Sequence, residues 1–462
     1  MLTLFDVDRR TGRREFLKVG SLALGGLTLP GLMKARADGR LLRDKSVIFL
    51  FLHGGPSQFE TFDPKMSAPA NIRSATGEVR TKLPGITFGG TFPKLAERAD
   101  RVSIVRSFVT GDGNHDIKPI VGRDTFGSNL GSVYSRIRGT NDPATGLPTN
   151  VALFPRAVDP RAQNTNGVVN FPVYLSTGPF GSAYAPFDPS GGGAVLSNMR
   201  LAVPMDRLSD RRQLLSQLDH VQWLASEARR IEALDRTQQQ AFDVVVRGVG
   251  EAFDLSREDP RVIAQYDTEP LLGPTNIDRR WNNYNNYLDN ARSLGKLLLL
   301  ARRLCERGCG FVTVTTNFVW DMHADVNNAT MVEGMGYMGR PLDHAVAALL
   351  DDLEARGLSE RILLVMCGEM GRTPAINNQG GRDHWGNLAP LLVAGGGLQM
   401  GQVVGRSAAN GGTPNSEPVR LNNLIATILH TLVDMGEVRI NPSMPREINQ
   451  AIAGYEPIAQ LM

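Results

Sequence analysis

At 462 residues, with 42% hydrophobic and 21% charged side chains, the chain is long enough for a large apolar core and too apolar for wholesale disorder. Its formal charge of +3 sits at the N-terminus. Residues 1–37 hold seven Lys/Arg against three acids, so the remainder carries −1, which excludes a broad basic surface for nucleic acid. The three cysteines, Cys305, Cys309 and Cys367, are too few for a disulfide-stapled scaffold and read as small buried apolar residues.

The chain opens with a leader. Residues 13–18 read RREFLK, an apolar, glycine-rich run follows from Val19 to Met33, and Ala35-Arg36-Ala37 supplies a small-x-small cleavage signal before Asp38. This is the pattern of a twin-arginine export signal over residues 1–37, with the twin-arginine machinery as partner and a periplasmic or extracellular destination. The apolar run of 15 residues is short of the ~20 that span a bilayer, so no stable membrane span is expected after cleavage.

Strand candidates then recur. Ser46–Leu52 is apolar throughout and ends in His53-Gly54-Gly55-Pro56; Arg101–Arg106 precedes SFVTGDGNHD; Phe311–Thr316 precedes NFVWDMHAD. Arg361–Met366 precedes CGEMGRTPAINNQGGRDHWG, and Leu388–Ala394 ends in a triple glycine. Runs apolar on both faces and separated by helices predict an α/β fold, a mostly parallel sheet sandwiched by helices. Helical periodicity covers Tyr287–Arg307 and Leu342–Ala355, and both segments read as crossover connections. Residues 209–255 carry a long helical pattern, capped by Ser209, with no strand nearby. The expected organisation is a leader at 1–37, the first part of the α/β core at 38–155, a mainly helical insertion or cap at 156–285, and the second part of the core at 286–462.

Functional residues of open parallel sheets gather beyond the carboxyl ends of the strands. There this chain places His53, Glu60 and Asp63; then Asp112, Asn114, His115 and Asp116; then Asp321, His323 and Asp325; and last Glu369, Asp383 and His384. Imidazoles mixed with carboxylates suit zinc, manganese or iron better than calcium. Arg372 could clamp a phosphate or sulfate through two N–H groups. Ser57 reads as a turn residue, and His220 and His430 lie in helical patterns away from these loops. A serine-esterase reading fails, because the chain has no Gly-x-Ser-x-Gly elbow. The glycines of AGGGLQMG, residues 394–401, have the wrong spacing for a dinucleotide loop.

The segments FLFLHGGPSQFETFDPK, VRS…NHD, LARRLCERGCGFVTVTTNFVWDMHADV and CGEMGRTPAIN…GRDHWG together resemble the large bacterial family catalogued as domain of unknown function 1501. That family usually begins with a twin-arginine signal and is placed near the alkaline phosphatase and sulfatase superfamily. The resemblance implies an alkaline-phosphatase-like fold with the helical insertion, and a metal set of Asp321, His323, His384, Glu369, His53 and Asp383. The early carboxylate position is taken here by His53, and Glu369 stands where an Asp-His pair is usual. The nucleophile slot falls at Thr110 to His115, which makes Thr110 and His115 catalytic candidates beside Arg372. The resulting expectation is an exported hydrolase of phosphate or sulfate esters that takes a small anionic substrate. One or two divalent ions would serve it, zinc or manganese ahead of calcium, with attack by a metal-bound water or a loop nucleophile. The alternative is a non-catalytic binding or scaffold protein on a degenerate fold of the same kind.

Overall fold

The computed structural model describes residues 41–163, 171–190, 249–441, 444, 448–449 and 454–462. The expected leader and most of the expected 209–255 helical pattern lie outside them. Nine strands position the site: β1 Ser46–Phe51, β2 Ser103–Val105, β3 Asn150–Leu153, β4 Phe311–Thr315, β5 Ile362–Cys367, β6 Gly371–Arg372, β7 His384–Trp385, β8 Leu391–Gly395 and β9 Gln402–Val404. Seven of them form one sheet in the order β9-β2-β8-β5-β1-β4-β3, while β6 and β7 pair only with each other. β1 pairs in parallel with β4 and β5, β3 with β4, and β2 with β9. β8 runs antiparallel to both of its neighbours.

β1 shows why the sheet is central. Val47, Phe49 and Phe51 enter the core on one face, and Ile48 and Leu50 enter the core on the other. A strand buried on both sides has no need of polar alternation. One face is covered by α2 (Tyr284–Glu306) and α3 (Met331–Ala355), the other by α1 (Leu130–Arg138) and α4 (Leu421–Leu432). The α1 N-terminus is capped by Asn129, whose Oδ1 accepts from Gly131 N at 2.8 Å.

The mostly parallel α/β sandwich is therefore the observed architecture. Four short strands, β3, β6, β7 and β9, have no counterpart in the sequence reading. α3 also begins eleven residues before the expected Leu342, because Pro341 reads as a boundary yet sits inside the helix. Thr330 sets the true start, with its Oγ1 accepting from Glu333 N at 3.2 Å. Within 156–285, the described residues Phe253, Tyr266, Leu272, Ile277 and Trp281 pack into the same apolar core as α2 and α3. All three cysteines are free and buried. Among the described residues, no helix is long and apolar enough to cross a membrane.

The end of the 156–285 segment is tied to α2 and α3 by charge. Glu258 accepts from Arg302 Nη2 at 2.8 Å, Arg303 Nη1 at 2.9 Å and Arg356 Nη2 at 3.3 Å. The Arg302 side chain is only 1% exposed. Burial alone would raise the Glu258 carboxyl, but Arg303 and Arg302 override it and pull the pKa down to about 2. A carboxylate depressed in the folded state contributes stability above its unfolded pKa and loses it as pH falls through the folded value. Glu258→Gln should therefore lower stability at pH 7 by roughly 1–3 kcal/mol. The gap to wild type should close between pH 4.5 and 2, as read by denaturant midpoints; a gap that does not change with pH would contradict the assignment.

Candidate metal centre

The register of the sheet builds the site. Phe51 lies opposite Cys367 on one side and Thr315 on the other, so the residues that follow β1, β5 and β4 emerge side by side. Gly54 donates its N–H to Glu369 Oε1 at 2.9 Å. Gly54 has φ +116°, and a Cβ there would lie 2.6 Å from Asp321 N, so only glycine lets the β1 and β4 loops approach this closely. His384 arrives differently, from the segment before β8. Because β8 is antiparallel, its leading end lies at the same edge as the carboxyl ends of β1, β4 and β5. The triple glycine after β8 lies at the far edge.

Asp321 is the focus. Its Oδ1 lies 2.8 Å from His323 Nε2, 3.2 Å from His384 Nε2 and 3.6 Å from His115 Nε2. Burial would raise its pKa, but hydrogen bonds from the three imidazoles and the charge of Arg372 hold the carboxyl well below the ordinary range. The His323 and His384 Nε2 atoms stand 2.8 Å apart. Ligand-capable atoms of His115, Asp321 and His384 all lie within 4.8 Å of one another. The mouth is open to solvent: the side chains of His384, His323 and His115 are 33%, 21% and 20% exposed.

Two carboxylates orient two of the rings from behind. Glu369 Oε1 accepts from His115 Nδ1 at 2.9 Å, and Asp383 Oδ1 accepts from His323 Nδ1 at 3.1 Å. A carboxylate only accepts, so each ring carries a proton on Nδ1 toward the carboxylate and turns Nε2 toward Asp321. This back-bonding is the usual support of a metal-ligating histidine. Burial lowers the His115 pKa, and hydrogen bonds to Asp321 and Glu369 more than reverse it, to about 9.

A model of proteins of unknown function, DUF1501, matches residues 44–438. The chain belongs to that family. No curated protein matches this DUF1501 chain. Among solved structures it is similar to a sulfatase from a Pseudoalteromonas species, at 12% identity and a TM-score of 0.35, over 91% of this chain and 72% of the other. A phosphonate monoester hydrolase from Silicibacter pomeroyi gives 11% identity and a TM-score of 0.32 over 84% and 73%. The corresponding hydrolase of Agrobacterium radiobacter gives 14% and 0.27 over 85% and 74%. Likenesses this faint say nothing of activity.

In this DUF1501 chain the structure brings together Asp321, His323, His384 and His115, and places Glu369 and Asp383 behind the histidines. Glu369 is fully buried and turned to His115 and Gly54, while the Asp383 side chain is 60% exposed. His53 is fully buried, with both ring nitrogens unpartnered, boxed by Phe51, Tyr174 and Phe318. Burial drives its pKa down to about 4, and it contributes no atom to the His115–Asp321–His384 group. Thr110 lies against the β7 segment, with N–H to Gly386 O at 3.2 Å and its buried Oγ1 unpartnered.

Arg372 differs most from expectation. It is fully buried, and instead of facing a substrate it donates to Asp321, Arg382 O and the carbonyls of Gly54, Gly55 and Trp320. Glu60 holds Arg382 through contacts of 3.0 and 3.1 Å, Asp63 pairs with Arg106 and Lys65, Asp112 with Lys118, and Asp325 accepts from Asn327 and Asn328 N–H. Sequence reasoning missed three supports. Arg382, directly before Asp383, is buried against Glu60 and anchors that segment. Asn377 donates to His323 O at 2.9 Å and Asp383 Oδ1 at 3.2 Å. Gln58 brackets Arg372, donating to its carbonyl at 2.8 Å and accepting its N–H at 2.9 Å. The available signal was the basic residue directly before the Asp-His pair.

Proposed function

We propose that this chain is an exported, metal-dependent hydrolase of phosphate or sulfate esters. The observation that carries the reading is the convergence of imidazole Nε2 atoms on one buried carboxylate oxygen, with two rings back-bonded through Nδ1. That donor set fits a divalent zinc or manganese ion held by His115, Asp321 and His384, with His323 beside them. When bound, such an ion supplies Lewis acidity toward an ester oxygen. The chain's own residues do the rest. Glu369 and Asp383 fix the rings, Asn377 and Arg382 fix Asp383, and the exposed faces of His384, His323 and His115 leave an approach for a small anionic ester. Thr110 is the hydroxyl candidate for a nucleophile.

Two observations favour the second reading, a binding protein without turnover. Arg372 already neutralises Asp321 at 2.6 Å, and the buried Thr110 Oγ1 has no hydrogen-bond partner to act as its base.

Mature protein purified without chelators should carry at least one equivalent of transition metal by plasma mass spectrometry. Asp321→Ala should lose it and His384→Ala should hold it more weakly, both keeping a native near-UV signal. Asp383→Asn should weaken affinity about 10-fold through the ring it orients. No metal, and none taken up from added zinc or manganese, would sink the hydrolase reading. With metal present, absence of turnover on panels of aryl phosphates and sulfates would favour the binding protein.

Export is a separate proposal, resting on residues 13–37. The double substitution Arg13→Lys, Arg14→Lys should leave the chain unprocessed in the cytoplasm; unchanged processing and export would contradict a twin-arginine route.

A further inference from the structure

We infer that the centre holds one divalent ion per chain, because the Arg372 guanidinium fills the second cation position. The inference rests on the metal-dependent reading above and specifies its ion count. Two metals that share a site stand ~3.5–4 Å apart and commonly share a carboxylate. Here the shared carboxylate would be Asp321, and its Oδ1 is 2.6 Å from Arg372 Nη2. The same guanidinium has Nη1 3.3 Å from His323 Nε2, the imidazole nitrogen that a second ion would also need.

The remaining contacts make a cation cage. Nε donates to Gly55 O at 2.7 Å, Nη1 to Arg382 O at 3.2 Å, and Nη2 to Gly54 O and, at 3.4 Å, to Trp320 O. Four carbonyls, a carboxylate and an imidazole surround a group with no exposed surface. A guanidinium keeps its charge at any physiological pH, so this positive charge is permanent. Nor can the side chain drift aside. Arg372 lies in β6, in register with His384 of β7, and Gln58 holds its backbone from both sides. His115, Asp321 and His384 offer one set of donor atoms, all within 4.8 Å of one another. The face toward Gly54 and Trp320 is taken by arginine.

The test is a metal count on the mature wild-type protein. Protein stripped with a chelator is titrated with zinc chloride, and separately with manganese chloride, by calorimetry, and the loaded, desalted protein is measured by plasma mass spectrometry. One equivalent per chain is expected. Two equivalents would overturn this inference and leave the metal-dependent reading intact; none would overturn both. Arg372→Met frees Asp321 and His323 and should take up a second equivalent, whereas Arg372→Lys, which keeps a cation, should stay at one. A folded Arg372→Met variant that binds one ion with wild-type affinity would show that arginine does not set the count. If that variant does not fold, the wild-type count decides.

Discussion

One carboxylate oxygen organises the centre. Asp321 Oδ1 is buried at the meeting point of three loops and lies close to Arg372, His323, His384 and His115. A charge so placed is costly unless it is paired and hydrogen-bonded. The fold meets that cost from several strands at once. Arg372 reaches it from β6, His384 from β7, His323 from the β4 loop and His115 from the β2 loop. The local geometry of each segment follows from this demand, including the left-handed Gly54, which brings two backbones within reach of each other.

Around this focus the polar residues work in pairs with distinct tasks. Glu369 and Asp383 each take an imidazole Nδ1 and turn Nε2 inward. Glu60 and Arg382 form a fully buried pair whose guanidinium also stacks 4.3 Å from the Phe59 ring and donates to the carbonyls of Ile72 and Arg73. That pair staples the loop after β1 to the segment that carries Asp383 and His384. The centre is thus held by rigid, buried contacts, while the imidazole edges remain reachable from solvent.

Much of this was legible in the sequence, for physical reasons. Strands buried on both faces leave continuous apolar runs, so β1, β4 and β5 were plain, and the loops after them carried the metal-capable residues. Short strands were not: Asn150–Leu153 and Gln402–Val404 bury few residues and lack a distinctive period. Orientation was also hidden. Spacing placed Glu369 and Asp383 at a strand end, but only the fold decides whether a carboxylate faces the centre or the back of a histidine. Arg372 misled for the same reason. Its side chain turns toward the carbonyls of Gly54 and Gly55, more than 300 positions away in the chain. His53 remains a buried imidazole with both nitrogens unpartnered in an aromatic box, and the geometry offers no role for it.

The central claim is that imidazoles and one carboxylate, rather than an all-oxygen set, hold the ion. X-ray absorption at the metal edge of zinc-loaded protein tests it most directly. The account predicts a nitrogen/oxygen shell at about 2.0–2.1 Å with the outer-shell scattering of two or three imidazoles, reduced by one ring in His384→Ala. A spectrum without imidazole scattering, or one unchanged by that substitution, would contradict it.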